Sequence, residues 1–179
     1  WAEQNPDSWW QAVGDSTRRM LAEAGRGAMD VAVIGFSGQM MGCLPLDASG
    51  RPLYRAIIWA DQRASAEAEE FAGAVGAEKV YAITGHRPGA NYTAAKLLWL
   101  RRHEPALYAR VSHVLQAKDY VAYRLTGEFA TDCSDASGTN LYNLASRAWS
   151  AEILSALEVD PALLPVPVPS ATIIGRVTQ

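Results

Sequence analysis

The chain has 179 residues, 49% of them hydrophobic, with 16 Lys and Arg against 19 Asp and Glu and a net charge of −3. That suits one packed domain or part of a larger one. There is no basic run, which argues against nucleic acid and anionic membrane as partners, and charged residues interrupt every apolar run short of a membrane span.

In chain order, Asn5 is placed as an N-cap and Pro6 at the first position of a helix. Trp9, Trp10, Val13, Thr17, Met20, Leu21 and Ala24 recur at helical spacing until Gly25 stops it. Residues 31–36, Val-Ala-Val-Ile-Gly-Phe, form an apolar run that reads as a buried strand in a mixed sheet, ending in Gly35-Phe36-Ser37-Gly38. Leu44–Leu46 and Leu53–Trp59 flank Asp47-Ala-Ser-Gly50, which reads as a β-hairpin turn. Ala64–Val75 is an Ala- and Glu-rich helix with an exposed acidic face, and Glu78–Ile83 a short one closed by Gly85. Thr93–His103 is helical, Pro105 starts another short helix, and Val111–Leu115 is extended. Asp119–Leu125 is a helix ending at Gly127, and Ser150 caps a helix over 151–157. Pro161, Pro165, Pro167 and Pro169 make the next segment extended and rigid. Residues 171–177 read as a strand cut off early; both ends look cut, and a fragment is expected. Strands alternating with helices predict an α/β architecture.

Several chemistries fall away. Gly35-Phe-Ser-Gly38 is followed by Gln39 where a nucleophile elbow needs its second glycine. Neither a phosphate loop with Gly-Lys-Ser/Thr nor the protein-kinase set is present. Cys43 and Cys133 are far apart without metal-ligand spacing, which points to reduced, packed cysteines in a cytoplasmic protein. His86, His103 and His113 do not pair with carboxylates at ligand spacing, so no metal site is expected. Ser134-Asp-Ala-Ser-Gly-Thr139 is small and polar, as a phosphate-binding turn or a helix-capping turn would be. The stretch from 35 to 63 suits a small polar ligand: backbone at a strand end, the Gln39 amide, the Trp59 indole, the Asp61 carboxylate and the Arg63 guanidinium.

The chain resembles the FGGY carbohydrate kinases, most of all their xylulokinase branch, over nearly its whole length. The opening Trp1-Ala-Glu-Gln-Asn-Pro-Asp-Ser-Trp-Trp10 is similar to the family's tryptophan-rich entry to its first long helix. Gly35-Phe-Ser-Gly-Gln-Met-Met-Gly42 is similar to a segment reading Gly-Gln-Met-His-Gly, and Trp59-Ala-Asp-Gln-Arg63 to Trp-x-Asp-x-Arg. Thr93 to His103 fits the signature around Lys96 and Trp99, preceded by Asn91 where the family prefers an aromatic, Met, Gly or Ser. Lys118-Asp-Tyr120, Leu125-Thr-Gly-Glu128 and Asp132 to Thr139 also match.

The resemblance implies an incomplete ribonuclease-H-like lobe and transfer of the γ-phosphoryl of ATP, with Mg²⁺, to a sugar or polyol hydroxyl. Its partners are then a small sugar and ATP, and a homodimer is admitted. The family's base is an aspartate in a Gly-Gly-x-Asp-Asn segment, and a second aspartate lies in an Asp-x-Gly-Thr hairpin; the sequence has neither, so no catalytic residue is expected within it. Met40 and Met41 match the pair that contacts the sugar, with Met41 in place of His. Glycerol kinases carry Arg-Glu there, and Met-Met argues against glycerol. Gln39 either orients the sugar or makes a structural bond, and Trp59 either stacks on it or packs in the core. Asp61 and Arg63 pair or brace their loop, with sugar contact the alternative. Asn91 falls where glycerol kinases use a tyrosine hydroxyl, and its amide could replace that contact. Lys96 and Trp99 are expected to pack against the sheet.

Overall fold

The computed structural model describes residues 1–178. A short strand β1 (Glu3–Gln4) leads into α1 (Pro6–Glu23). Asn5 caps that helix as expected, its Oδ1 accepting from the Asp7 N–H at 3.1 Å. The chain leaves α1 through Gly25 in the left-handed region.

Residues 31–36 are not a strand. After one 3₁₀ turn at Ala28–Asp30 the chain runs irregularly to Gly42, with Val33 80% exposed. An apolar run becomes a strand only when a neighbour takes its backbone hydrogen bonds. Among the described residues no segment pairs with it. The expected mixed sheet is replaced by four two-stranded ones.

β2 (Leu44–Leu46) pairs antiparallel with β4 (His113–Leu115), and β3 (Ala56–Ile57) with β1. The turn at Asp47–Gly50 closes as expected, the Gly50 N–H donating to the Asp47 carbonyl at 2.9 Å. Gly50 has φ +75, and a Cβ there would collide with the Tyr123 hydroxyl. The arms of this hairpin meet only at Leu46–Pro52 and Cys43–Ile57, because Pro52 has no N–H and β3 turns to β1.

Beyond β3 the chain is mainly helical: α2 (Ser65–Val75), α3 (Ala77–Thr84), α4 (Thr93–His103), α5 (Pro105–Tyr108) and α6 (Ala117–Thr126). α3 ends at left-handed Gly85 and α6 at left-handed Gly127. β5 (Ala130–Asp132) runs parallel to β8 (Val166–Val168), with α7 (Cys133–Ser137) directly after β5. β6 (Tyr142–Asn143) and β7 (Ala148–Trp149) form a hairpin before α8 (Ala151–Ala156), which Ser150 caps through the Ile153 N–H. Residues 171–177 form no strand, and Ile173 is exposed.

The main core lies between α2, α4 and α8 and is filled by Phe71, Leu97, Leu100 and Ile153. A smaller core joins Leu44, Leu46 and Leu115 to Tyr120, with Trp9 of α1 against it. The acidic face of α2 is only partly exposed. Glu67 is buried and meets Arg102 at 3.1 Å and His103 at 3.3 Å. Alanines flank it in sequence, and Arg102 and His103, distant in sequence, draw it inward.

Candidate functional site

Met40, Met41 and Gly42 lie where the irregular segment enters β2, and Met41 has φ +62. A side-chain-bearing residue rarely holds that conformation unless its surroundings impose it. Two buried side chains do so. The Met41 N–H donates to Gln116 Oε1 at 2.6 Å, and the Met41 carbonyl accepts from Lys96 Nζ at 2.6 Å. Lys96 Nζ also donates to the Asn91 carbonyl at 2.6 Å, and Thr93 Oγ1 donates to the Gly42 carbonyl at 2.9 Å. Asn91 Nδ2 then reaches Met41 Sδ at 3.4 Å. The start of α4 and the N-cap of α6 thus hold this loop between them.

Burial lowers the Lys96 ammonium to about 8 and pushes the neighbouring Cys43 thiol up to about 12. Cys43 is a free, packed cysteine, as expected.

Beside Met40 opens a cleft of about 160 Å³, with Ser37, Gly38 and Met40 on one wall and Lys118, Asp132 and Asp135 on the other. Gly138 closes the back of Met40, since a Cβ there would lie 3.0 Å from Met40 Cε. Lys118 Nζ sits 2.8 Å from Asp119, 3.0 Å from Asp132 and 3.1 Å from Asp135. Burial pushes the Asp135 carboxyl up to about 6 against the attraction of Lys118, helped by the charges of Asp119 and Asp132. Partial burial acts on Asp132 in the same direction, yet hydrogen bonds from Ser134, Ser170 and Lys118 hold it well below the usual carboxylate range.

Lys118, Asp132 and Asp135 do not stand out in the sequence as ligand-facing residues. The pieces that hold them match the family, but nothing local shows that one ammonium gathers three carboxylates. Among the described residues no set of three or more His, Cys, Asp and Glu is arranged to hold a metal ion.

Of the residues expected to face a ligand, Met40, Met41 and Asn91 come together. Gln39 Nε2 donates to Gln4 Oε1 at 2.6 Å, and Trp9 Nε1 donates to the same oxygen at 2.9 Å, which is the structural alternative. Asp61 is enclosed: it accepts from Arg63 Nε and Nη2, both at 2.8 Å, and from the Ala2 N–H. Arg63 continues to Glu3 at 2.8 Å and lies against the rings of Trp1 and Trp99. This pair braces β1 against the loop after β3. Trp59 is half exposed. Residues 134–139 form α7 and its exit turn, with Asp132 as the cap, so the capping alternative describes them.

The N-terminal domain of the FGGY family of carbohydrate kinases matches residues 1–179. The xylulose kinase of Escherichia coli (strain K12) is 39% identical over 175 residues, covering 98% of this chain and 35% of that protein. The crystal structure of a xyloylose kinase from Brucella ovis superposes with a TM-score of 0.93 at 35% identity, over 99% of this chain and 37% of that one. A gluconate kinase from Lactobacillus acidophilus superposes with a TM-score of 0.87 at 27% identity, over 99% and 35%. The chain therefore has the sugar-kinase fold in part, and spans about a third of the length of these relatives.

Proposed function

The chain belongs to the FGGY family of carbohydrate kinases, and we propose on that premise that it is part of the sugar-binding lobe of an ATP-dependent kinase acting on xylulose or a similar sugar. The observation that carries this reading is the loop at Met40 and Met41, which buried side chains fix, with Asn91 against Met41 and Met40 lining the cleft. Phosphoryl transfer asks a protein to align a hydroxyl more than to make bonds. Asn91 supplies amide hydrogen-bonding groups for hydroxyls, and the two methionines supply an apolar wall.

No helix among the described residues is long and apolar enough to cross a membrane, and the protein would act on its sugar and ATP in the cytoplasm. ATP, Mg²⁺ and the proton-accepting aspartate would be held mainly by residues outside this sequence. A kinase for another sugar or polyol, such as ribulose, gluconate or erythritol, is the second reading. It is favoured by Met41, whose thioether accepts a hydroxyl's hydrogen bond poorly where the xylulokinase pattern has His.

A phosphorylation screen of the full-length protein across pentuloses, polyols and aldonates tests this, with xylulose-dependent release of ADP expected. Asn91→Ala should lower kcat/KM for the sugar about twofold to tenfold, the worth of one hydrogen bond, and leave the KM for ATP unchanged. Met41→His should shift preference towards xylulose. Changes in the ATP constants with the sugar constants untouched would place the site elsewhere.

A further inference from the structure

We propose that Lys96 and Gln116 are positioning residues that hold Met41 in its left-handed conformation and so set how tightly the site takes its sugar. The proposal rests on the reading that Met41 and Asn91 face the sugar. Lys96 lies in the first turn of α4 and is fully buried. Burying an ammonium is costly, and an aliphatic side chain would fill the same space without that cost. Its hydrogen bonds go to two carbonyls outside its own helix, those of Met41 and Asn91. One charge therefore ties together two segments about fifty residues apart in sequence.

Gln116 completes the grip from the other side. Its side chain is buried, with Oε1 taking the Met41 N–H and Nε2 donating to the Asp135 carbonyl at 2.7 Å. Both backbone polar groups of Met41 are thus bound to buried side chains, one from α4 and one from the residue that caps α6. A strained residue persists where its neighbours over-determine it, and such strain collects at functional sites. Released from either bond, Met41 would relax towards negative φ and turn its side chain away from Asn91.

The groups facing Lys96 are Cys43, ahead of β2, and Asp61 and Arg63, after β3. Cys43 stays a thiol and Asp61 an anion at working pH, since burial raises the first to about 12 and the Arg63 hydrogen bonds lower the second to about 2. Arg63 stays a cation. Lys96, lowered to about 8, is the member of this set that changes charge between pH 7 and 9. Losing the charge weakens both of its hydrogen bonds.

The test uses the full-length kinase with xylulose as the probe sugar. Lys96→Met and Gln116→Leu should each raise the sugar KM about tenfold or more, with the KM for ATP unchanged. In the unmodified enzyme the sugar KM should rise from pH 7 to pH 9. That rise should persist in Gln116→Leu and vanish in Lys96→Met. If Lys96→Met does not fold, Gln116→Leu and the pH profile of the unmodified enzyme still decide. A sugar KM that is flat across this range, or unchanged in Gln116→Leu, overturns the proposal. If Asn91→Ala moves the sugar constants while the clamp variants do not, the clamp alone fails; if none of them moves the sugar constants, the sugar-site reading falls with it.

Discussion

Replacing Asp61 with alanine is expected to lower the unfolding free energy by about 3–5 kcal/mol, because it leaves a buried guanidinium without its main partner. The side chains of Asp61 and Arg63 are both fully buried, and two parallel hydrogen bonds join them. Glu3 remains beside Arg63 at 2.8 Å, but the Ala2 and Arg63 N–H groups also lose their acceptor. The carboxyl is held to about 2, chiefly by Arg63 overcoming the effect of burial. Since this folded value lies below the unfolded one, the stabilisation is present above about pH 4 and fades as pH falls towards 2. Urea denaturation followed by tryptophan fluorescence measures the loss, since Trp1 and Trp99 lie against the guanidinium. Replacing both partners, as Asp61→Ala with Arg63→Met, should cost less than Asp61→Ala alone. A loss below about 1 kcal/mol for the single change would show that solvent reaches the pair.

Asp135→Asn is expected to act in the opposite direction at neutral pH, raising the unfolding free energy by about 1–3 kcal/mol at pH 7.5. Burial raises the Asp135 carboxyl to about 6, so the fold prefers it protonated. Its contribution to stability is full below about pH 4 and is lost as pH rises through 6. Above that the native chain carries the cost of a buried anion, which asparagine avoids. Lys118 keeps Asp119 and Asp132, so no cation is orphaned. Denaturation curves of both proteins from pH 4 to pH 8 should converge at the acid end. A less stable variant at pH 7.5 would mean that the attraction of Lys118 for Asp135 outweighs burial.

Local signals in the sequence carry as far as local physics reaches. Asn5 and Ser150 cap helices through their side chains, Gly85 and Gly127 end them, and the turn at Asp47–Gly50 closes, because each depends on a few neighbouring residues. Residues 31–36 depart from the strand expected of them because apolar composition states that a strand could be buried but not what would pair with it. Glu67 departs from its expected exposure for a related reason: its partners Arg102 and His103 lie on another helix. Within the site, Met40, Met41 and Asn91 can be named from motifs. The left-handed Met41 and the meeting of Asp132 and Asp135 with Lys118 cannot, since both are made by contacts between separate elements.

The irregular run from Val31 to Phe36 has a practical consequence for handling the chain. It holds six residues with neither proline nor charge, rich in β-branched and aromatic side chains, and its backbone is unpaired. Short windows of that kind seed cross-β assembly when they are exposed. A single lysine in place of Val33, which already points largely into solvent, is therefore expected to raise the concentration at which the isolated chain stays dispersed.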